Sequence, residues 1–87
     1  MTLAEQLTDP STRREYKLSA DSFFESGRRD FNSGKFGSAE FYLGIAGRIY
    51  HGLNDKFTAK MVQGWFVSAV KRNTNSNYRE QLPDWCQ

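Results

Sequence analysis

The sequence predicts an all-α fold, a small three-helix bundle made of an antiparallel helical hairpin and a third helix, with a short C-terminal tail. Apolar residues recur at helical spacing in three stretches, and polar breaks containing glycine or asparagine separate those stretches. The chain has only 87 residues, so it forms one domain at most. We expect the helical core over 9–72 and the tail over 73–87.

The first predicted helix covers about 10–32. Asp9 is a good N-cap and Pro10 a good first helical residue, because proline lacks the N–H that would be unpaired there. After the helix, Gly34 suits the left-handed conformation that follows many helices. Ser19 is itself a competent cap, so the sequence allows either a continuous helix or a break near this residue. The apolar line of this helix is Tyr16, Ala20, Phe23, Phe24, Gly27 and Phe31.

The second and third predicted helices cover about 37–51 and 55–72. Gly44 and Gly47 lie within one turn of the second helix, and each costs about 1 kcal/mol relative to alanine. They therefore predict that another group approaches this backbone closely. Gly52 is the expected C-terminal cap, and Asn54 or Asp55 the N-cap of the third helix. The third helix has the broadest apolar face and is expected to be the most buried; its two lines are Phe57, Met61, Trp65 and Ala69, and Val62, Phe66 and Val70.

Both ends of the chain add short segments. Thr2 and Glu5 have the spacing of a capping box, which predicts one helical turn over 2–7. After an asparagine-rich linker, residues 78–82 are predicted to form another helical turn that Pro83 ends. Trp85 is expected to fold back onto the bundle or to enter a partner, since a large ring gains from leaving water.

Residues 20–49 resemble a single tetratricopeptide repeat. The matching small and aromatic positions are Ala20, Phe23, Gly27, Phe31, Gly34, Phe36, Ala39 and Ala46. The sequence departs from the family's pattern at Asp30, where an aromatic residue is usual, and at His51, where a proline is common. The resemblance implies a helical hairpin with a peptide- or protein-binding role, and it assigns no ligand-binding residue.

Composition restricts the classes of function. The net charge is only +2, which gives non-specific nucleic-acid binding little electrostatic basis. Cys86 is the single cysteine, so no internal disulfide forms. The first residues lack the pattern of a secretory signal, and the apolar runs are far shorter than the roughly 20 residues of a membrane span. A cytoplasmic protein without membrane segments is therefore expected.

No residue pattern predicts catalysis or a cofactor. His51 is the only histidine and is expected at a helix end, whereas triads and most metal sites need a histidine combined with other groups. Cys86 has no histidine near it in sequence to activate its thiol. The glycines of the second helix have neither Walker nor dinucleotide spacing. We therefore expect no enzyme activity, no metal and no cofactor.

The sequence instead predicts a protein–protein interaction module, a small adaptor or an inhibitor or regulator of a larger complex, of the kind that phages and mobile elements often encode. The expected contact surface is the glycine-containing face of the second helix and its surroundings. The candidate partner-binding residues are Glu40, Gly44, Gly47, Arg48, His51 and Trp85.

Two alternatives stay open. A small DNA- or RNA-binding regulator would use basic residues on the first and third helices and in the tail. A chain this small also completes its core in some cases by forming a homodimer. The candidate nucleic-acid-binding residues are Arg28, Arg29, Lys71, Arg72 and Arg79.

Overall fold

The computed structural model describes residues 9–87, which form helices α1 (Pro10–Asn32), α2 (Phe36–Gly52) and α3 (Lys56–Arg72) and a 3₁₀ turn at Asp84–Cys86. No strand occurs among these described residues. The predicted all-α class and three-helix bundle are confirmed, and the helix bounds agree with the expected ones to within a residue. The helical turn predicted over 2–7 lies outside the described residues.

The caps of α1 are those that the sequence predicts. The side chain of Asp9 accepts a hydrogen bond from the backbone N–H of Ser11 at 3.2 Å. The helix runs without a break through Ser19, which decides between the two alternatives for this segment. Gly34 follows with a φ of 79°, a left-handed conformation that glycine adopts without steric cost.

The turn between α2 and α3 differs from the prediction at one position. Gly52 is not a cap but the last residue of α2. The left-handed residue is Asn54, with a φ of 62°, which asparagine tolerates better than most side chains. Asp55 then caps α3 by accepting a hydrogen bond from the backbone N–H of Thr58 at 3.2 Å.

Helix α2 is the central element, because α1 and α3 both pack against it and touch each other little. Where α1 crosses α2, Gly27 lies so close to Leu43 that a Cβ atom would stand 2.6 Å from its Cγ. Arg13 ties the start of α1 to the α2–α3 turn by donating a hydrogen bond to the carbonyl of Leu53 at 2.7 Å. The fully buried core residues from the three helices are Ala20, Ala39, Leu43, Ala46, Val62 and Ala69.

The expectation that α3 is the most buried helix is wrong. One of its apolar lines, with Val62 and Phe66, is buried against α2. The other begins with Phe57 and Met61, which are 81% and 47% exposed. The bundle covers only the side of α3 that faces α2, and periodicity alone does not show where that cover ends.

The tail also differs from the prediction. Residues 78–82 form no helical turn, and the only helical segment of the described tail is the 3₁₀ turn after Pro83. A residue before proline is driven away from the α conformation, so Pro83 disfavours a helix that ends at Leu82. Among the described residues, no helix combines the length and the apolar character required to cross a bilayer.

Candidate functional site

Glu40 holds the asparagine-rich linker, which is the first part of the tail after α3. It is the one buried charged side chain in the described part of the chain, with 7% of its surface exposed. One carboxylate oxygen accepts a hydrogen bond from Asn73 Nδ2 at 2.6 Å, and the other accepts one from Ser76 Oγ at 2.5 Å. A buried carboxylate needs such donors because it has lost its hydration. The two bonds fix the linker against α2.

Trp85 holds the end of the tail on the same side of α2. Its ring lies directly on Gly47, where a Cβ atom would come within 2.3 Å of the indole carbons. The ring also packs against Phe66 of α3, with the centroids 5.1 Å apart. Gln63 Nε2 donates a hydrogen bond of 2.7 Å to the backbone carbonyl of the next residue, Cys86. Trp85 is 9% exposed, so the tail folds back onto the bundle.

The thiol of Cys86 is buried under the same turn. Only 7% of the residue is exposed, and burial raises the pKa of the thiol to about 11. Desolvation disfavours the thiolate, which is the reactive form of cysteine. The geometry therefore makes this thiol a packing group.

A groove of about 740 Å³ lies between α2 and the tail, and we call it the tail groove. Its apolar lining includes two large exposed rings, Phe41 at 57% and Tyr78 at 40%. Tyr78 stands against Phe66 with the ring centroids 5.5 Å apart. The polar lining includes Arg48, His51, Asn75, Asn77 and Asp84.

The structure brings the six residues predicted to bind a partner to one place. Glu40, Gly44, Arg48, His51 and Trp85 line the tail groove, and Gly47 lies beneath Trp85. Their roles differ, however. Glu40 and Trp85 are buried and anchor the tail, and the two glycines admit rings of the same chain, since a Cβ atom on Gly44 would stand 3.3 Å from Phe66. Only Arg48 and His51 are exposed.

The prediction omitted the rings that give the groove its apolar character. Phe41 was missed although it has a readable signal, because Phe41, Ile45 and Arg48 follow the i, i+4, i+7 spacing of a second face of α2. Tyr78 had no such signal. Its place depends on how the linker folds around Glu40, which no local pattern encodes.

Four of the five residues predicted to contact nucleic acid have partners within the fold. The guanidinium of Arg72 lies 5.0 Å from the centroid of Phe31, and that of Arg28 lies 5.0 Å from the centroid of Phe24. Arg79 donates hydrogen bonds to the carbonyls of Lys71 and Asn73, and Arg29 donates one to Ser26 Oγ. The Lys71 ammonium has no partner among the described residues.

Residues 9–87 contain no group of three or more histidine, cysteine, aspartate or glutamate side chains that converge as metal ligands would. Comparison with known proteins gives no relationship from which a function is transferred. No family model matches the chain, and no curated protein or solved structure is significantly similar to it.

Proposed function

We propose that the protein is a non-catalytic protein-interaction module, a small adaptor or an inhibitor or regulator of a larger complex, that holds a peptide segment of its partner in the tail groove. The observation that carries this proposal is the exposure of Phe41 and Tyr78 in one concave site. Large exposed rings around a concavity are typical of interaction surfaces. The small size of the protein also fits a regulator encoded by a phage or mobile element. Its single cysteine is buried and free, which fits a cytoplasmic location, where thiols stay reduced.

Two separate contacts hold the walls of the groove together, which favours binding. Its two walls are α2 and the tail, and Glu40 and Trp85 fasten one to the other at separate points. A partner segment entering such a site does not have to order it first. Because ordering side chains and loops reduces affinity, a preformed groove binds a peptide more tightly than a flexible one would.

The rim of the groove offers polar groups that would orient a bound segment. The side chains of Arg48, His51 and Asn77 have no hydrogen-bond or ion-pair partner among the described residues. An apolar floor with a polar rim is the usual anatomy of a binding interface. Arg48 would bind a carboxylate or a carbonyl of the partner, since its guanidinium carries only donors.

A displayed library of random 12-residue peptides, selected on the immobilised protein, tests this proposal. We expect peptides with aromatic or aliphatic anchors to be enriched, and Phe41→Ala to weaken their binding about tenfold, as the loss of an interface anchor does. Phe57→Ala is the matched control, because Phe57 is an equally large, 81% exposed ring outside the groove. No enrichment, or equal losses for the two variants, would contradict the proposal.

Nucleic-acid binding is the second candidate, and the side-chain contacts give it less support. Only Lys71 of its five proposed residues is without a partner in the described chain. Its test is binding to a mixed pool of duplex and single-stranded oligonucleotides across a salt series. A steep loss of affinity with salt would favour this role, because phosphate contacts release counterions.

A further inference from the structure

The solvent-facing side of α3 forms a second apolar surface, distinct from the tail groove. We call it the α3 outer face and define it as Phe57, Met61, Gly64 and Ser68, at positions i, i+4, i+7 and i+11 of the helix. Phe57 and Met61 are the exposed apolar members, at 81% and 47%. None of the four residues lines the tail groove.

Packing within the described bundle does not account for the glycine at position 64. A Cβ atom on Gly27 or Gly47 would collide with a side chain of the bundle. One on Gly64 would meet no described atom within 4 Å apart from its two chain neighbours and the backbone of its own helix. A glycine in a helix interior is destabilising relative to alanine, and here no packing within the described chain compensates for it. A second helix laid across Gly64 would come unusually close, since interaxial distance depends on the side chains at the contact.

The side chains beside Gly64 are packed against a ring of α1. A shallow depression of about 420 Å³ runs past Met61, Gly64, Trp65 and Ser68. Trp65 packs edge-on against Phe31 with the ring centroids 5.4 Å apart. The guanidinium of Arg72 lies over the same Phe31 ring at 5.0 Å.

The charged residues that α3 itself contributes all have one sign. Helix α3 carries four basic residues and no acidic one. Lys60 and Lys71 lie along one edge of the outer face at helical spacing, and Arg72 lines the depression on the other. Neither lysine ammonium has a partner among the described residues. A second copy of α3 placed here would bring cations against cations, which opposes self-pairing.

From the exposed Phe57 and Met61, the open glycine and the basic charges of α3, we propose that the α3 outer face binds an acidic amphipathic helix of a partner protein. The apolar side of that helix would cover Phe57 and Met61, and its backbone would approach Gly64. Its flanking carboxylates would face Lys60 and Lys71. The outer face extends about 16 Å along α3, which matches three turns of a bound helix.

Two libraries of 18-residue helical peptides provide the test. Both vary leucine, isoleucine, phenylalanine and alanine at the apolar positions of one face, and they differ in having glutamate or lysine at every flanking position. We expect selection on the immobilised protein to enrich binders from the glutamate library only. Phe57→Ala should weaken the selected peptides about tenfold, and Phe41→Ala should leave them within about twofold, because it lies outside the interface.

Two further variants separate this proposal from non-specific apolar binding. The charge-reversed Lys60→Glu/Lys71→Glu protein should lose the glutamate peptides and bind the lysine library instead, since like charges across an interface repel. Gly64→Ala should weaken binding at least about fivefold while raising the melting temperature, because it adds a methyl group to the interface and a better helix former to α3. Weaker binding in the Gly64→Ala protein therefore cannot be the result of unfolding.

Other occupants of the outer face would appear as contrary outcomes. Dimer formation, measured by light scattering and abolished by Phe57→Ala, would assign the face to a second copy of the chain. Binding to phosphatidylglycerol vesicles without binding to either peptide library would assign it to an anionic lipid surface. Equal enrichment from both libraries would overturn the charge argument. Each result would be distinct from a failure of the tail groove, which Phe41→Ala reports.

Discussion

Gly47 and Gly64 are both glycines in helix interiors, but their surroundings are opposite. The Gly47 position is in contact with the Trp85 ring, whereas no other element of the described chain comes within 4 Å of a Cβ atom placed at Gly64. The same substitution at the two sites therefore separates the intrinsic preference for alanine in a helix from the steric need for glycine. At this scale, the fold depends on the missing methyl group of Gly47 and not on that of Gly64.

We expect Gly47→Ala to lower the free energy of unfolding by about 2 kcal/mol, because the new methyl group overpacks the site against Trp85. Gly64→Ala is the matched control and should raise it by up to about 1 kcal/mol. Urea unfolding of both variants, followed by circular dichroism, measures the two changes. Equal effects of the two substitutions would mean that Trp85 does not rest on α2 in solution.

The tail is the element that builds the candidate site, since the tail groove exists only while residues 73–87 lie on α2. Cys86 reports on this docking because its thiol is buried beneath the 3₁₀ turn. A docked tail protects the thiol both from contact with reagents and from ionisation. The rate of alkylation therefore measures how often the tail opens.

We expect iodoacetamide at pH 8 to alkylate the native thiol at least about 100-fold more slowly than in urea, because a pKa of about 11 in place of 9 lowers the thiolate fraction by that factor. Glu40→Ala should raise the native rate about tenfold, since Asn73 and Ser76 lose their shared acceptor. Glu40→Gln is the control and should stay near the wild type, because its amide oxygen still accepts from Asn73. Alkylation of the native protein at the unfolded rate would show an undocked tail.

The elements also show what local sequence determines. The bounds of the three helices and the caps at Asp9, Gly34 and Asp55 were predicted because each depends on residues within one turn of it. The burial of α3 and the path of the tail were not predicted correctly. Both depend on contacts between parts of the chain that are far apart in sequence. Phe57 has the periodicity of a core residue and lies in solvent because the bundle has no fourth helix among its described residues.

The candidate site, too, was predicted only as far as local residues determine it. The sequence located it on α2 through Gly44 and Gly47, because paired glycines in a helix indicate a close approach. It did not distinguish a ring of the same chain from that of a partner. The structure places Trp85 and Phe66 there, so the surface left for a partner is the groove beside the glycines. Whether the hairpin of α1 and α2 is related to tetratricopeptide repeats stays a prediction.

At the scale of the whole molecule, a polar contact of a buried tyrosine joins α1 to α2 inside the hairpin. The hydroxyl of Tyr50, a residue only 1% exposed, donates a hydrogen bond to the carboxylate of Asp21. Burial raises the pKa of this hydroxyl well above its ordinary value, and the hydrogen bond to Asp21 and the charges of Asp21 and Asp55 raise it further. The fold therefore favours the protonated tyrosine and links its own stability to pH.

The sign of this linkage predicts a loss of stability in alkali. Below pH 10, Tyr50 is protonated in both the folded and the unfolded chain, so its contribution is constant. Above pH 10, the unfolded chain loses the proton first, and the free energy of unfolding should fall by about 1.4 kcal/mol by pH 11 through Tyr50 alone. Cys86 adds to the fall from about pH 9, because burial raises its pKa as well.

Tyr50→Phe isolates the contribution of Tyr50, since Cys86 titrates equally in both proteins. At pH 8 the variant should be about 1 kcal/mol less stable than the wild type, because it lacks the hydrogen bond to Asp21. Its stability should fall less steeply above pH 10, so that the two urea-unfolding series meet near pH 11. Parallel curves across this range would show that Tyr50 ionises as easily in the folded chain as in the unfolded one. The contact between Tyr50 and Asp21 would then be open to water, and α1 and α2 would be joined by their apolar packing and by the hydrogen bond from Ser38 to Asp30.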